Sequence, residues 1–250
     1  MNLDFSEDQK LLQKTARDFL AERSPLQVDR DVLEKGTHWN AELWKAAAEM
    51  GWQGAVIPEE YGGAGFGYLE LVLIAQELGR ALAPIPFGSS VYLATEAILL
   101  AGSDTQRKKW LSALANGSAV GTLAFAEAPG FPSQASLKTT LAGGKLSGTK
   151  IAVPDGNVAT FAVVAARSNA GVSLALVDLA GPGVTRKATE SIDPTRASAE
   201  ISFKDAPAEL LGDDGRGWEL LERVLDRAAV VQAFEQLGGA DIHAGTSGVA

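Results

Sequence analysis

The chain has 250 residues, and its 22 Lys and Arg against 31 Asp and Glu give a net charge of −9. Hydrophobic residues make up 46% of the chain, which excludes wholesale disorder and leaves enough apolar material for a sizeable core. The acidic balance and the lack of a long basic run argue against nucleic-acid binding. There is no cysteine, which excludes disulfides, thiolate metal sites and thiol nucleophiles.

The two histidines, His38 and His243, lie far apart in the sequence, so we predict no metal site. The N-terminus carries acids where a secretory signal needs positive charge, and no stretch reaches the ~18 apolar residues of a membrane span. We therefore expect a cytoplasmic protein with no membrane-spanning segment.

Apolar residues recur at helical spacing over the first part of the chain. Ser6 followed by Gln9, and Ser103 followed by Gln106, are capping boxes, which predict that helices begin at these serines. Clustered glycines break the period and predict a loop over 56–65. The predicted helices cover residues 6–23, 40–51, 68–83, 87–100 and 103–117.

Beyond Gly117 the chain changes to short runs rich in Val, Thr, Phe and Leu, separated by Gly, Pro or Asp, which is typical of β-strands. Gly143-Gly144 between two runs predicts a tight hairpin. Because no helical pattern interrupts the runs, we expect an antiparallel sandwich or barrel. The predicted strands cover residues 119–126, 136–142, 145–153, 158–166, 172–178, 183–190 and 198–204.

A helical period returns at Gly217, with the apolar residues on one side of the predicted helix. Gly238-Gly239 would end this helix, and the residues from 241 to 250 have no period and predict a frayed tail. The apolar side needs a partner, so this helix must lie on the first helical block or on another subunit.

The sequence thus predicts a multidomain α+β fold in three parts. An N-terminal all-α domain covers 1–117, a middle antiparallel β domain covers 118–212, and the start of a C-terminal helical bundle covers 213–250.

Three carboxylates, Glu219, Glu222 and Asp226, fall near one face of the last helix, with Arg223 and Arg227 interleaved. The pattern alone favours a solvated face with intrahelical ion pairs, such as Asp226 with Arg223, over a catalytic role.

Seven segments in order carry a resemblance to a known family. They read FSEDQKLLQKTARDFLAER, LWKAAAEMGWQGAVIPEEYGGAG, LIAQELGRALAPIPF, AGSDTQRKKWLSALANGS, LSGTKIAVPDGNVATFAVVAAR, DPTRASAEISFKDAPAELLG and RAAVVQAFEQLGGAD. With these segments the first 240 residues resemble the acyl-CoA dehydrogenase family. The resemblance implies an N-terminal helical domain, a middle β domain and a C-terminal helical bundle, with FAD as cofactor and an acyl-CoA thioester as substrate.

The chemistry that the resemblance implies is α,β-dehydrogenation, in which a carboxylate removes the α proton and hydride passes from the β carbon to the flavin. It also implies that electrons pass on to an electron-transfer flavoprotein. A minority of the family place a glutamate directly before an arginine in the first helix of the bundle. The matching residue here is Asp226 before Arg227, which makes Asp226 the candidate base, although its side chain is one methylene shorter.

The resemblance also assigns binding positions, several of which depart from the family. Where the family commonly shows Trp, Ile, Thr and Asn beside the flavin, this chain has Ala152, Val153, Pro154 and Asp155. Such departures are similar to diverged subunits of heteromeric enzymes that act on bulky or steroid side-chain thioesters. The implied flavin contacts are Phe125, Ala126, Glu127, Ala152, Val153 and Pro154, and the implied substrate contacts are Ser89, Ser90, Ser133 and Arg227.

Members of the family continue with several more helices after the segment that ends at Asp241. We therefore expect a truncated or frameshifted chain, or one completed by a partner in a homo- or hetero-oligomer. The stripe Leu221, Leu225, Ala228 and Val231 would then be an uncovered apolar patch. The leading hypothesis is an FAD-dependent acyl-CoA dehydrogenase. The alternatives are a non-catalytic structural subunit of a heteromeric acyl-CoA dehydrogenase and an inactive truncated chain.

Overall fold

A computed structural model describes residues 4–246 of the chain, with side chains through residue 241. In this part of the chain a block of helices comes first, a β-barrel follows, and a long helix returns to the helical block. The helices are α1 (Glu7–Arg23), α2 (Leu26–Lys35), α3 (Ala41–Glu49), α4 (Tyr68–Arg80), α5 (Glu96–Ala101), α6 (Asp104–Ala115) and α7 (Gly217–Thr246). The strands are β1 (Gly121–Ala124), β2 (Thr140–Ala142), β3 (Lys145–Pro154), β4 (Phe161–Arg167), β5 (Val172–Asp178), β6 (Val184–Ala188) and β7 (Ser198–Leu211). This order confirms the predicted fold class. No described helix is both long and apolar enough to cross a bilayer.

The helical block follows the predicted capping signals. Gln9 N donates to Ser6 Oγ at 3.2 Å and Ser6 N donates to the Gln9 side chain at 3.0 Å, which confirms the first capping box, and Ser103 with Gln106 forms the second. The sequence reading missed α2, because Pro25 at its N-cap provides no side-chain cap.

The predicted helix over 87–100 forms, but its first part is wound more widely than an α-helix. Gly88–Thr95 is a π-helical segment that runs directly into α5. Within it, the Thr95 hydroxyl donates to the Ser90 carbonyl oxygen at 2.8 Å. Wide turns of this kind occur often at functional sites, and this one forms a wall of the cavity described below.

All seven predicted strands form, and five of them close into a barrel. Strand β2 pairs with β3, β3 with β7, β7 with β5, β5 with β4, and β4 returns to β2. Strand β1 lies beside β4, and β6 lies beside β7. The predicted hairpin at Gly143-Gly144 is confirmed, with both residues at positive φ.

The expectation of a purely antiparallel sheet is wrong at two places. Strand β1 pairs with β4 in parallel, from Gly121 opposite Phe161 to Ala124 opposite Val164, and β2 meets β4 in parallel at one pair. The hairpin of β2 and β3 lies between β1 and β4 in sequence, so the chain can enter β4 in the same direction as β1 without a crossover helix.

Helix α7 lies along α4, so the prediction that it packs on the first helical block is confirmed. Leu221, Val224, Ala228 and Val231 are buried inside the chain, and Leu225 is half-buried. The expectation of an uncovered stripe is therefore wrong, because α4, α5, the π-helical segment and β5 cover it.

The predicted helix end at Gly238-Gly239 is also wrong, since α7 continues to Thr246. A Cβ on Gly238 would lie 1.8 Å from the carbonyl oxygen of Gln76, and a Cβ on Gly79 would lie 1.8 Å from that of Glu235. These glycines allow two helix backbones to touch and do not serve as a cap. The frayed tail is contradicted for residues 241–246, and residues 247–250 lie outside the described part of the chain.

Candidate active site

A cavity of about 520 Å³ lies where the π-helical segment, α7, the end of β3 and the loop before β7 meet. Leu93, Pro154 and Leu225 contribute apolar walls. The polar side chains that line it are Ser89, Tyr92, Asp155, Arg196, Gln232 and Glu235. This volume falls in the range of small-molecule sites, and so does the mixture of apolar walls with a few polar groups.

Asp155 is linked to the π-helical segment by a hydrogen bond. Its Oδ2 accepts a hydrogen bond from Ser89 Oγ at 2.6 Å, and its backbone N–H donates to Ala197 O at 2.8 Å. Asp155 has a φ of 53°, a left-handed conformation that Asp tolerates better than most residues. Burial raises the pKa of its carboxyl, whereas the hydrogen bond from Ser89 and the charge of Arg196 oppose that rise.

Arg196 joins the loop before β7 to both helical walls. One guanidinium nitrogen is 3.1 Å from Glu235 Oε1 on α7, and another donates to Ile85 O at 3.3 Å. Tyr92 lies beside this pair, and its buried hydroxyl has no hydrogen-bond partner among the described residues. Burial and the nearby Glu235 raise the pKa of the Tyr92 phenol well above its ordinary value. The cavity is therefore lined by two carboxylates and one guanidinium.

Glu127 is half-buried and is held by a network of hydrogen bonds around the buried Lys150. The fully buried Lys150 ammonium donates to Glu127 Oε1 at 2.7 Å and to Phe125 O at 3.3 Å. Backbone N–H groups of Lys138 and Thr139 donate to the same carboxylate at 2.6 and 2.9 Å. Burial of this carboxyl opposes ionisation, but these hydrogen bonds outweigh it and lower the pKa of Glu127 to about 2. The Glu127 carboxylate therefore holds the loop after β1 in place.

The structure brings the two predicted flavin-contacting segments together, because Ile151 N donates to Ala126 O at 2.9 Å. Ala152 sits at a β-bulge with a φ of 48° and an exposed side chain. Val153 is buried in the core. Pro154 is the one member of these segments that lines the cavity, and its carbonyl oxygen accepts from Thr122 Oγ1 at 2.6 Å.

The predicted serine contacts lie in three different environments. Ser89 lines the cavity. Ser90 is buried, and its Oγ accepts from Gly121 N at 3.2 Å, which ties the π-helical segment to β1. Ser133 is exposed and caps the short 3₁₀ turn Gln134–Ser136.

Asp226 and Arg227 on α7 differ in their surroundings. Asp226 is exposed, lies outside the cavity lining, and makes no hydrogen bond or ion pair with the described residues, so the considered pair with Arg223 does not form. Arg227 pairs with the buried Glu96 carboxylate and donates to Tyr68 Oη at 3.0 Å. Tyr68 in turn donates to Glu96 at 2.6 Å, so Arg227 anchors α7 to α4 and α5.

Comparisons with known proteins agree with this architecture. The family described as "Acyl-CoA dehydrogenase, N-terminal domain" matches residues 6–118. The short-chain specific acyl-CoA dehydrogenase of Mus musculus mitochondria is 31% identical over 256 residues, which cover 95% of this chain and 61% of the mouse protein. The chain belongs to the acyl-CoA dehydrogenase family.

Two solved structures of acyl-CoA dehydrogenases share the fold. The enzyme from Geobacillus kaustophilus superposes with a TM-score of 0.87 at 26% identity, covering 97% of this chain and 68% of the other. The enzyme from Bacillus anthracis, complexed with FAD, superposes with a TM-score of 0.82 at 28% identity, covering 94% of this chain and 42% of the other. The chain spans about 61% of the length of its mouse relative.

The side chains at the implied flavin positions do not fit a flavin well. Ala126, Ala152 and Pro154 offer no side-chain hydrogen-bond donor, and Pro154 has no backbone N–H. Glu127 already accepts from Lys150 and two backbone groups. These positions therefore give a flavin ring main-chain contacts and few side-chain ones.

Sequence reasoning missed several of the residues that line the cavity. Gln232 and Glu235 follow Leu225 and Ala228 at helical spacing, so one face of the amphipathic helix could have pointed to them. Arg196 stands in an irregular loop with no local pattern, and only the folded chain brings it to the cavity.

Proposed function

We propose that this chain forms the acyl-binding part of an acyl-CoA dehydrogenase that introduces a double bond between the α and β carbons of an acyl-CoA thioester. The observation that supports this most is the cavity between the π-helical segment, α7 and the barrel, in a chain of this family. Its apolar walls suit an acyl chain, because burial of apolar surface drives such binding.

Such a reaction needs a carboxylate that takes the α proton, and we propose Asp226 for this role. Leu225 precedes Asp226 and Ala229 lies three residues beyond it, and both line the cavity. Asp226 therefore flanks the cavity-lining face of α7. Its carboxylate forms no ion pair with the described residues, so it is not already engaged by a cation there.

The test of this role is Asp226→Asn, measured as turnover of acyl-CoA with an artificial electron acceptor. We expect turnover to fall by about 10²–10⁴ while the flavin content stays the same, since a general base contributes about that much. Glu222→Gln on the same helix is the matched control and should keep its turnover. Unchanged turnover in Asp226→Asn would remove this residue from the mechanism.

FAD is the proposed cofactor of the assembled enzyme, and an electron-transfer flavoprotein is the proposed acceptor of its electrons. The poor side-chain fit at Ala126, Ala152 and Pro154 means that groups beyond these positions would have to hold the flavin. We therefore propose that flavin binding depends on assembly, in a homo-oligomer or with another acyl-CoA dehydrogenase chain.

The same poor fit favours a second candidate function, a non-catalytic subunit of a heteromeric acyl-CoA dehydrogenase. The absorption spectrum and intact mass of the native complex distinguish the two candidates. A yellow protein that bleaches with acyl-CoA supports the enzyme. A colourless chain that co-purifies with a second dehydrogenase chain supports the subunit. A colourless chain without a partner would refute both and leave an inactive chain.

A further inference from the structure

The barrel side of the cavity carries a carboxyl group with unused hydrogen-bonding capacity. Asp155 Oδ2 is occupied by Ser89, whereas Oδ1 has no hydrogen bond with the described residues. Oδ1 is also not among the oxygens sealed off inside the protein, and Asp155 lines the cavity. A polar oxygen in this position is costly to leave unpaired when an apolar ligand displaces water from it.

The other charges around the cavity limit which ligand groups Asp155 could accept. Glu235 and Asp155 together oppose a second carboxylate in the acyl group. An ammonium group would have to lose its hydration in a cavity that already holds the Arg196 guanidinium, which costs more free energy than the burial of a neutral hydroxyl. A neutral hydroxyl brings no charge into the cavity and can donate to Asp155 Oδ1.

We infer that Asp155 determines the acyl specificity of this site, and that it selects acyl-CoA thioesters whose acyl group carries a hydroxyl over plain alkanoyl thioesters. This inference rests on the proposed function, because it assumes that the cavity binds the acyl group. A hydrogen bond between the ligand hydroxyl and an ionised carboxylate is of the strong, charge-assisted kind. A site with such an acceptor, once water is displaced from it, also disfavours an analogue that lacks the donor.

The experiment measures dissociation constants of the full chain, as purified, by isothermal titration calorimetry. The ligands are hexanoyl-CoA, ω-hydroxyhexanoyl-CoA, ω-aminohexanoyl-CoA and adipoyl-CoA, with the dodecanoyl and ω-hydroxydodecanoyl pair as a longer set. We expect the hydroxylated member of at least one pair to bind about tenfold more tightly than its plain partner, which corresponds to about 1.4 kcal/mol. The amino and dicarboxyl ligands should bind no better than hexanoyl-CoA.

Asp155→Asn tests the residue itself. Asn can still accept from Ser89 and tolerates the left-handed backbone, but it turns its amide nitrogen toward the ligand as a donor. The ligand hydroxyl can still accept from this nitrogen, but the bond is no longer charge-assisted, so we expect the hydroxyl preference to fall from about tenfold to about threefold or less while hexanoyl-CoA keeps its affinity. Glu190→Gln, an exposed carboxylate outside the cavity lining, is the matched control and should keep the preference.

The outcomes separate this inference from the proposed function. Equal binding of plain and hydroxylated ligands by the unmodified chain, or tighter binding of the amino or dicarboxyl ligand, would overturn the inference and leave the acyl-binding role intact. Failure of every acyl-CoA to bind would overturn both. A preference that stays at about tenfold in Asp155→Asn would overturn the inference, because another residue would then set it.

Discussion

The contact between α4 and α7 depends on glycines, and adding one methyl group to α7 tests it. A Cβ on Gly238 would lie 1.8 Å from the carbonyl oxygen of Gln76 and 2.9 Å from the backbone nitrogen of Arg80. Ordinary contact begins at 3.4 Å. Both clashing atoms belong to the backbone of α4, so no change of side-chain rotamer can relieve them. The neighbouring Gly239 differs, because within the described part of the chain its Cβ would meet only Gly79 O, at 3.6 Å.

These distances give the two substitutions opposite signs. In a helix interior, Ala is favoured over Gly by about 1 kcal/mol. At Gly239 this gain should appear almost in full, so Gly239→Ala should stabilise the chain by up to about 1 kcal/mol. At Gly238 the helices must separate, and overpacking of this kind costs about 1–3 kcal/mol or more. The clash at 1.8 Å belongs at the upper end, which leaves Gly238→Ala destabilised by about 2 kcal/mol after the propensity gain.

The assay is thermal and urea unfolding followed by far-UV circular dichroism, with both variants beside the unmodified chain. A difference of about 3 kcal/mol between the variants corresponds to about 6–12 °C in Tm for a chain of this size. Equal stability of Gly238→Ala and Gly239→Ala would refute the close helix contact. It would also return Gly238-Gly239 to the role of a helix end.

Two further predictions concern buried carboxyl groups. Because the pKa of Glu127 is lowered to about 2 from an ordinary 4.5, its ionised form adds stability above pH 4.5, and that stability is lost as the pH falls toward 2. Glu127→Gln should therefore lower the free energy of unfolding at pH 7 by about 3–5 kcal/mol, since it leaves Lys150 buried without its partner. The difference from the unmodified chain should shrink in acid. Urea unfolding at several pH values measures both effects. Asp29 has the opposite sign, because burial raises its pKa to about 6 from 3.8 and neither of its buried carboxyl oxygens has a hydrogen-bond partner among the described residues. Its contribution to stability is present below pH 3.8 and is lost as the pH rises through 6. Asp29→Asn should raise Tm at pH 8 and leave it unchanged at pH 3.5, and a lower Tm at pH 8 would contradict this.

Much of the fold could be read from local patterns, because local forces determine those elements. The capping boxes at Ser6 and Ser103 predict helix starts that the structure confirms, and strand composition predicts all seven strands. The parallel pairing of β1 with β4 could not be read, since register between distant strands leaves no mark on either run of residues. Gly238-Gly239 is ambiguous in the same way. A glycine pair suits a helix end as well as a close helix contact, and only the position of α4 decides between them.

The candidate site also combines residues that local sequence can predict with residues that only the folded chain brings together. The resemblance points to Ser89 and Pro154, which line the cavity, because Pro154 lies inside one of the matching segments and Ser89 lies two residues after another. The resemblance also assigns binding roles to Glu127 and Arg227, but these side chains form ion pairs with Lys150 and Glu96. Those pairings join residues far apart in sequence, so spacing alone could not reveal that the two side chains are already engaged.

The cavity and the helix contact are mechanically linked. Glu235 touches Gly79 through its backbone and Arg196 through its side chain, so the position of α7 on α4 also sets the position of the guanidinium in the cavity. Asp155 and Ser89 form a second link, from the barrel to the π-helical segment. A ligand hydroxyl that donates to Asp155 would therefore contact a cavity wall that these two sets of polar contacts hold in place. Because packed interiors yield little, this wall can select a ligand by its hydrogen bonds instead of reshaping around it.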